Sequence, residues 1–483
     1  MARILMVASE ATPFATTGGL ADVVGSLPRE VAALGHQVAV LIPRYGKARL
    51  APSHPVWENL VVRLGPRAYT VAIHRADGPA IPYFFLDYPP FYDRDELYGN
   101  AKGDYPDNHL RFALLSRVAF EVSRCLFRAD IFHCHDWQAG LVPVYLHTTM
   151  ASDPTFMGCR TLTTIHNLVY RGLYRPAVLA EIGLPARLFH PEELEFHGDI
   201  SYLKAGLLYG DALTTVSPTY AKEIQTPEYG AGLDGLLRAR SAVLSGILNG
   251  ADYQRWDPAT DPHLAARYSA ADVSGKQACK QALLKEFKLD PQKAMPRPLL
   301  GIVSRFTGQK GCDLILNIAA ELFGRDVYLV ALGSGEAKYE EGFRAMAAAH
   351  PDRMGLCIGY DDGLAHRIEA GSDMFLMPSR YEPCGLNQIY SLRYGTPPVV
   401  RATGGLEDTI DEATGFKFRE FSAPALMEVV DRACTAWEDR TMWTARIKAG
   451  MTRDFSWKRS AAEYSDLYHR LAGSSNATID EGV

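Results

Sequence analysis

Short runs of apolar and β-branched residues alternate with amphipathic helical patterns along the whole chain. In the helical stretches apolar residues recur every three or four positions, whereas the short runs are almost continuously apolar. This alternation predicts an α/β protein with parallel sheets that are covered by helices on both faces. The predicted strands are residues 4–8, 38–42, 131–133, 161–165, 212–216, 299–304, 327–332, 354–358 and 374–377.

Both halves of the chain carry this pattern, and a turn-rich segment separates them. At 483 residues the chain exceeds what one hydrophobic core usually spans, which predicts two domains. Because the segment beginning at Asn249 breaks the alternation, we expect domains at residues 1–248 and 249–456. A last helical pattern begins at Trp457 and could complete the second domain or return to the first. Its apolar stripe consists of Trp457, Ala461, Tyr464, Tyr468 and Leu471.

Composition and charge exclude several classes of protein. The net charge is −6 and no basic cluster stands out, which argues against a nucleic-acid partner. No apolar run reaches about 18 residues and no cleavable signal precedes the first strand, so we expect no membrane partner. The eight cysteines are scattered without CxxC pairs, which is typical of free thiols in a reducing compartment. We therefore expect a cytoplasmic protein.

Residues 378–406, PSRYEPCGLNQIYSLRYGTPPVVRATGGL, carry a dense group of reactive side chains. Glu382 lies in a loop bounded by proline and glycine, and a helix is predicted over 385–394. A carboxylate and the free amides of a helix start would then face the same ligand, which suits a sugar phosphate. The alternative is a charged surface loop that caps a helix, because capping uses the same residue types.

The end of this segment, Thr403 to Asp408, is a near-copy of Thr17 to Asp22 near the other end of the chain. Each copy follows an apolar run and precedes a helical pattern, which predicts a strand, a tight glycine turn and a helix start. Glycines allow close approach of a ligand to the backbone, and amides of a first helical turn attract phosphate. One copy could be a plain turn, but two copies suggest two similar halves with facing sites.

Six segments, in order, resemble the bacterial glycogen synthases and plant starch synthases, which use ADP-glucose, and the resemblance covers nearly the whole chain. The segments are TTGGLADVVGSLP, HCHDWQAGL, TIHNLVYRG, NGADYQRWDPATD, VSRFTGQKGCDL and SRYEPCGLNQIYSLRYGTPP. The resemblance implies the glycosyltransferase B fold, in which two Rossmann-like domains face each other across a deep cleft. It also implies that the C-terminal helix, residues 457–475, crosses back to the first domain.

The same resemblance implies a reaction, the transfer of glucose from ADP-glucose to the non-reducing 4-hydroxyl of an α-1,4-glucan with retention of configuration. The acceptor would be glycogen or a maltooligosaccharide. A related retaining enzyme that uses UDP-glucose or a small-sugar acceptor is the alternative, and a non-catalytic glucan-binding protein is another. We favour a front-face route for retention, since no second carboxylate stands out as a nucleophile.

The resemblance assigns roles to particular residues. The expected catalytic residues are Glu382, His166, Arg305 and Lys310. The expected donor-binding residues are Thr16, Gly18, Gly19, Asp22, Asn249, Tyr360, Cys384, Gly385 and Leu386. Asp136 and Trp137 are the expected acceptor-binding residues.

The residue types fit these roles, although packing alternatives exist. Arg305 and Lys310 follow a predicted strand and can converge on two phosphates, where they would stabilise the leaving diphosphate, or they could belong to a solvated turn. Tyr360 could stack on the nucleotide base. A histidine at a strand end, such as His166, is often structural, and a buried tryptophan such as Trp137 is usually core.

Two further motifs suggest other chemistry more weakly. The run His133 to Asp136 has metal-binding residue types, but alternation along a strand puts His133 and His135 on one face and Cys134 on the other. The family resemblance implies that basic side chains and helix termini neutralise the diphosphate without a metal, so we expect no metal or other cofactor. Gly333 to Gly335 resembles part of a dinucleotide fingerprint but lacks the third glycine, so a dehydrogenase is a distant alternative.

The sequence departs from the family pattern at one position. The family usually has Lys-Thr-Gly-Gly-Leu, whereas Thr16 stands in the place of the lysine. Loss of a charged contact to the donor phosphate would weaken binding by roughly 1 kcal/mol, which is several-fold in affinity.

Overall fold

The computed structural model describes residues 1–78, 80–100 and 103–477, which form two compact units. The first unit is Met1–Gly250 together with the chain from Trp457 onward, and the second is Ala251–Ser456. Within the described ranges, no helix combines the length and the apolar character needed to cross a bilayer.

A nine-stranded sheet forms the centre of the first unit, in the order β14-β13-β9-β8-β1-β2-β5-β4-β3. Two small antiparallel sheets, β10-β12-β11 and β6-β7, accompany it. The strands are β1 (Arg3–Val7), β2 (Gln37–Pro43), β3 (His54–Leu64), β4 (Arg67–Asp77), β5 (Pro82–Asp87), β6 (Gly99–Asn100), β7 (Gly103–Asp104), β8 (Ile131–His135), β9 (Arg160–Ile165), β10 (Leu173–Tyr174), β11 (Glu195–Phe196), β12 (Asp199–Ser201), β13 (Ala212–Thr215) and β14 (Leu244–Gly246).

The central strands of this sheet are parallel and buried on both faces. Every residue of β8 is buried, as is nearly all of β1, which explains their continuous apolar sequences. The edge differs from the predicted pattern, since β3 and β4 pair antiparallel with each other and β4 pairs antiparallel with β5. Their side chains alternate between buried and exposed, so this hairpin keeps one face in water.

Helices cover both faces of the first unit's large sheet. They are α1 (Gly19–Ala33), α2 (Pro89–Tyr92), α3 (Asn108–Val122), α4 (Leu141–His147), α5 (Val178–Glu181), α6 (Tyr202–Tyr209), α7 (Pro218–Glu223) and α8 (Asp234–Ala239). One core lies between the sheet and α3, α4 and α6, and a second lies on the opposite face around α1.

The second unit contains a six-stranded parallel sheet in the order β17-β16-β15-β18-β19-β20. Its strands are β15 (Leu299–Val303), β16 (Tyr328–Gly333), β17 (Met354–Ile358), β18 (Met374–Met377), β19 (Pro398–Arg401) and β20 (Phe416–Phe418). Its helices are α9 (Gly275–Glu286), α10 (Pro291–Ala294), α11 (Cys312–Asn317), α12 (Ala319–Gly324), α13 (Ala337–Ala349), α14 (Asp362–Gly371), α15 (Asn387–Arg393), α16 (Gly404–Thr409), α17 (Ala423–Glu438) and α18 (Arg440–Met451).

The last helix, α19 (Trp457–Ala477), belongs to the first unit, as the family resemblance implies. The predicted stripe is buried in the core that contains Ile4 of β1 and Val23 of α1. Hydrogen bonds add specificity, because Ser465 Oγ lies 2.8 Å from His36 Nε2 and Ser460 Oγ donates to the Leu248 carbonyl. The apolar stripe in the sequence did not show which domain the helix packs against, and the tertiary structure shows that it is the first unit.

Candidate active site

Polar residues cluster in each unit just beyond the carboxyl ends of parallel strands, where open α/β sheets bind their ligands. In the first unit the loops after β1, β8 and β9 carry Thr17, Asp136 and His166. In the second unit the loops after β15 and β18 carry Lys310 and Glu382.

Glu382 is buried in the second unit and is held by two side chains. Its Oε2 atom accepts a hydrogen bond from Lys310 Nζ at 2.6 Å and another from Ser379 Oγ at 3.0 Å. The Glu382 side chain is 7% exposed and that of Lys310 is 19% exposed, so water screens this ion pair only in part. The carboxylate is therefore fixed in position rather than mobile in a surface loop, which argues against the capping-loop alternative.

A glycine explains how Lys310 comes so close to Glu382. Lys310 ends a short 3₁₀ turn, Gly308–Lys310, and Gly311 follows it with φ at 72°. A Cβ atom on Gly311 would lie 2.1 Å from the Pro378 carbonyl oxygen, so only glycine lets this turn pack against the end of β18.

Arg305 precedes this turn in the same loop and is exposed. Among the described residues, its guanidinium has a single side-chain contact, at 3.4 Å to Gln309. The structure thus brings an exposed arginine, a half-buried lysine and a buried carboxylate together beyond the carboxyl ends of β15 and β18. Such a group can bind a dianion beside a centre of developing positive charge.

The predicted helix after Glu382 starts later than expected. It begins at Asn387 instead of residue 385, so Cys384, Gly385 and Leu386 form the turn before it. Gly385 has φ at 73°, and its left-handed conformation ends the extended loop. Asn387 Nδ2 donates to the Val303 carbonyl at 2.7 Å and ties the helix start to β15. The contact of the backbone amides of this turn with the nucleotide sugar remains a prediction.

The two glycine turns differ in their surroundings. A Cβ on Gly404 or Gly405 would lie 1.9 Å from the Glu382 carbonyl or 2.1 Å from the Cys384 carbonyl, so this copy packs against the chain's own backbone. A Cβ on Gly18 or Gly19 would meet nothing within 4 Å. Only the first copy therefore leaves room for a ligand within its own unit.

The first glycine turn is anchored by a carboxylate that the sequence analysis did not single out. Glu10 is buried and accepts hydrogen bonds from Thr17 N at 2.5 Å, from Thr17 Oγ1 at 2.7 Å and from the Tyr98 hydroxyl. Glu10 lies in the loop after β1, just as Glu382 lies in the loop after β18. This similarity was the sequence signal that could have identified Glu10 as a site residue. Thr16 is exposed, and Asp22 accepts from Thr12 Oγ1 at 3.3 Å.

Asp136 combines an unusual backbone with an unusual acidity. Its φ of 55° and ψ of −168° lie in a region that residues with a side chain rarely adopt, and such conformations concentrate at functional sites. Its Oδ1 accepts from the His166 amide at 2.7 Å. Burial raises the pKa of Asp136 to about 7, nearby Glu10 adds to this, and amide hydrogen bonds from His166 and Asn167 oppose it.

His166 is half-buried, and burial lowers its pKa to about 3, which keeps the ring neutral. Its Nε2 atom lies 3.0 Å from Nδ1 of His135. The sequence suggests His135 only as a weak metal-ligand candidate and does not predict its contact with His166. The available signal was the alternation of side chains along the strand, which places His133 and His135 on the same face of the sheet.

Both ring nitrogens of His133 have neighbours in the protein. Nδ1 lies 2.7 Å from the Tyr468 hydroxyl and Nε2 lies 2.6 Å from Thr164 Oγ1. Over the described ranges, no group of three or more His, Cys, Asp or Glu side chains has a metal-binding arrangement.

Trp137 and Asn249 are buried in the first unit, whereas Tyr360 in the second unit is 86% exposed. Trp137 packs edge-on against Phe112 at 4.8 Å between ring centres, and a Cβ on Gly172 would lie 2.5 Å from its ring. Its contact with a sugar stays a prediction. Asn249 Oδ1 has no hydrogen-bond partner among the described residues, and Tyr360 follows β17, where its ring can reach a ligand.

The comparisons with known proteins agree with this architecture. Residues 3–239 match the starch synthase catalytic domain family, and residues 285–449 match the glycosyl transferases group 1 family. A glycogen synthase from Anaeromyxobacter sp. (strain Fw109-5) is 51% identical over 97% of this chain and 99% of its own length. One from Koribacter versatilis (strain Ellin345) is 48% identical over 97% and 98%.

Among solved structures, the catalytic domain of starch synthase IV from Arabidopsis thaliana, bound to ADP and acarbose, superposes with a TM-score of 0.90. It is 32% identical, and the match covers 98% of this chain and 99% of that one. The predicted glycosyltransferase B fold is thereby confirmed. The chain belongs to the glycogen synthase and starch synthase family, whose members are glucosyltransferases with a nucleotide-sugar donor and a glucan acceptor.

Proposed function

We propose that this protein transfers glucose from ADP-glucose to the non-reducing 4-hydroxyl of an α-1,4-glucan, with retention of the α configuration. The observation that carries the proposal is the cluster of Glu382, Lys310 and Ser379 beside the exposed Arg305. The starch synthase IV structure, which holds ADP and acarbose, supports adenine as the base and a glucan as the acceptor.

On the donor side, Arg305 and Lys310 bind the diphosphate, and their positive charge stabilises the ADP that leaves. The Arg305 guanidinium is free to form a two-point contact with phosphate oxygens, whereas Lys310 acts as a point charge that Glu382 orients. Tyr360 stacks on the base, and the amides of Cys384, Gly385 and Leu386, like those of Gly18 and Gly19, donate to phosphate oxygens.

On the sugar side, His166 and Asp136 contact the transferred glucose and the acceptor. His166 is neutral at physiological pH because burial lowers its pKa to about 3, so it acts through hydrogen bonds rather than through charge. Asp136 accepts from the His166 amide, which fixes the two groups relative to each other.

Retention is proposed to follow a front-face route. The bond from C1 to the phosphate oxygen breaks, the acceptor 4-oxygen bonds to C1 on the same face, and its proton passes to the departing phosphate oxygen. Glu382 favours the positive charge that develops near C1, and Lys310 and Ser379 hold its carboxylate in place through Oε2. Glu382→Gln should lower kcat by about 100-fold or more. Mass spectrometry of the wild-type protein during turnover should find no covalently bound hexose. A stable hexose adduct on Glu382 or Asp136 would refute this route.

The proposal needs no metal ion, because basic side chains neutralise the diphosphate. Dialysis against EDTA should leave the transfer rate unchanged, and a rate that falls and is restored by a divalent cation would contradict this part.

We also place the protein in the cytoplasm, which its eight free cysteines favour and which fractionation of cells can test.

The decisive test is transfer of radiolabelled glucose from ADP-glucose and from UDP-glucose, each with glycogen, maltotriose and free glucose. Incorporation into glycogen from ADP-glucose at least tenfold faster than from UDP-glucose is expected. A preference for UDP-glucose or for free glucose would establish the alternative transferase, and no turnover with any pair would indicate a glucan-binding protein.

A further inference from the structure

Two histidines contact each other through their ring nitrogens at the end of the first unit's sheet. His135 ends β8 and lies opposite Thr164 of the neighbouring strand β9, and His166 follows that strand. Nδ1 of His135 lies 3.0 Å from Nε2 of His166. The other nitrogen of His135, Nε2, is buried and has no hydrogen-bond partner in the described part of the chain.

Both rings are neutral. Burial lowers the pKa of His135 well below its ordinary 6.5, with further lowering from His133 and His166, and burial lowers that of His166 to about 3. A neutral imidazole carries one N–H and one bare nitrogen. The contact therefore has two possible arrangements, with either His135 Nδ1 or His166 Nε2 as the donor.

The unpartnered Nε2 of His135 decides between these arrangements. If His166 were the donor, Nδ1 of His135 would carry no proton. The single proton of the neutral His135 ring would then sit on Nε2, which is buried and has no acceptor. If His135 donates from Nδ1, only a bare nitrogen is left without a partner. Buried N–H groups without an acceptor are rarer in proteins than unsatisfied acceptors, so the second arrangement is favoured.

We propose that His135 is a positioning residue that donates from Nδ1 to Nε2 of His166 and thereby holds His166 in the tautomer protonated at Nδ1. The half-buried His166 then presents an N–H, rather than a lone pair, to its ligand. The ring of His133 supports this arrangement from behind, because it lies 4.1 Å from the His135 ring and is itself held by Tyr468 and Thr164.

The consequence for the reaction rests on the proposed function. A neutral N–H at His166 donates to an oxygen of the bound donor, such as a hydroxyl of the transferred glucose, without adding positive charge near C1. A ring free to change tautomer or to rotate would lose part of this contact. His135 thus acts through His166 and does not itself touch the substrate.

The direct test is the ¹⁵N spectrum of ring-labelled histidine in the full-length protein at pH 7.5, with the His166 signals assigned by their absence in His166→Asn. His166 should show a protonated Nδ1 and a bare Nε2. A bare Nδ1 with a protonated Nε2 would overturn the proposal. This readout does not depend on activity or on the identity of the donor.

A pair of substitutions at His135 provides the functional arm. The amide nitrogen of asparagine can take the place of Nδ1, so His135→Asn should retain the His166 tautomer and at least half of kcat. His135→Leu keeps the volume but removes the N–H group, so it should lower kcat/KM for the nucleotide sugar about tenfold. Equal loss in both variants, with the His166 tautomer unchanged in His135→Leu, would show a merely structural role.

The two proposals fail separately. If transfer from ADP-glucose is absent while His166 is protonated at Nδ1, the proposed function fails and this inference stands. If transfer is present and His166→Asn abolishes it, but Nε2 carries the proton, only this inference fails. Should His135→Leu not fold, the wild-type spectrum and His135→Asn still decide the question.

Discussion

At the scale of single residues, Asp136 shows how a polar side chain is changed by its position. Its carboxyl is buried at the end of β8, accepts two backbone amides and has a pKa of about 7. Its left-handed backbone, with φ at 55°, costs of order 1–3 kcal/mol that the surrounding fold must offset. Neither property follows from the identity of the residue. Burial raises the pKa, and the amides of His166 and Asn167, which follow β9, oppose that rise.

The raised pKa of Asp136 predicts a pH dependence of activity. If the carboxylate is the active form, kcat/KM should rise through about pH 7, because the group loses its proton there. Asp136→Asn still accepts from the His166 amide but cannot titrate, so it should remove this rise and lower the rate about tenfold or more. Rates measured from pH 5.5 to 8.5 check this, and an unchanged midpoint in the variant would contradict it.

The same shift has a consequence for stability. Because the folded pKa lies above the unfolded value of 3.8, the folded protein holds this proton more tightly. The resulting stabilisation is fully present below about pH 4 and is lost as pH rises towards 7. At pH 8, Asp136→Asn should therefore be more stable than the wild type by on the order of a few kcal/mol at most, as urea unfolding can measure.

Thr16 stands before the first glycine turn, at the position where the family resemblance leads us to expect a lysine. It is exposed, and its only described side-chain contact is a 3.5 Å approach of its hydroxyl to Thr12 Oγ1. Thr16→Lys should lower the KM for the nucleotide sugar several-fold, since a charge-assisted hydrogen bond adds roughly 1 kcal/mol. Thr16→Ala is the control and should leave KM nearly unchanged. Equal KM values in all three proteins would show that residue 16 does not face the phosphates.

At the scale of elements, the two glycine turns have nearly the same sequence and different roles. The turn at Gly404 and Gly405 packs on the loop that carries Glu382, and Gly405 N donates to the Glu382 carbonyl at 3.1 Å. The turn at Gly18 and Gly19 is anchored from behind by Glu10 and is open in front. The predicted strand, tight turn and helix start are confirmed for the second copy, where β19 ends at Arg401 and α16 begins at Gly404. In the first copy the helix starts at Gly19 as predicted, but a long loop, not a tight turn, separates it from the end of β1 at Val7. The sequence also could not show which copy meets a ligand.

This difference predicts opposite effects of the same substitution. Gly405→Ala places a methyl group 2.1 Å from the Cys384 carbonyl and should lower stability by about 1–3 kcal/mol, which is several degrees in Tm. Gly19→Ala meets nothing within 4 Å, so its Tm should be nearly unchanged while the KM for the donor rises about tenfold. Thermal unfolding and steady-state kinetics check both. A stable Gly405→Ala protein, or a Gly19→Ala protein with normal KM, would contradict the assignment.

The strands and helices were predicted from sequence to different degrees. All nine predicted strands form, because strands buried on both faces are rich in apolar and β-branched residues. The hairpin β3–β4 was not predicted, since its alternating residues leave one face in water and resemble a surface segment. The start of α15 was placed two residues too early, because Gly385 adopts a left-handed conformation that the sequence alone does not reveal.

At the scale of the whole molecule, the chain returns to its first unit through α19. This helix lies about 200 residues from the rest of that unit in sequence, yet its tyrosines pack on β1 and β8. The Tyr468 hydroxyl reaches His133, which in turn supports His135. The end of the chain therefore contributes to the packing behind the candidate site.

The contribution of α19 to stability can be tested by removing one hydroxyl oxygen. Tyr468→Phe removes the hydroxyl and leaves the buried Nδ1 of His133 unpaired, which should lower the free energy of unfolding by about 1–3 kcal/mol. Arg459→Ala on the same helix is the control. In the described part of the chain, the side chain of this exposed residue has a single partner, Glu463 in a 3.9 Å ion pair, so the change should alter stability by less than about 0.5 kcal/mol. Equal urea midpoints for the two variants would mean that the hydroxyl contributes nothing.

The sequence by itself determined the fold class, the family and most of the candidate site, because apolar periodicity and the order of six motifs are properties of the chain alone. It supplied Glu382, Arg305, Lys310, Asp136 and His166 as candidates. Only the tertiary structure decided which groups touch: Glu382 with Lys310, Glu10 with Thr17, and His135 with His166. The contacts of Glu382 with Lys310 and of His135 with His166 join loops and strands that are distant in sequence, whereas Glu10 and Thr17 belong to one loop that the fold closes on itself. The burial that neutralises His166 and shifts the pKa of Asp136 likewise exists only in the folded protein.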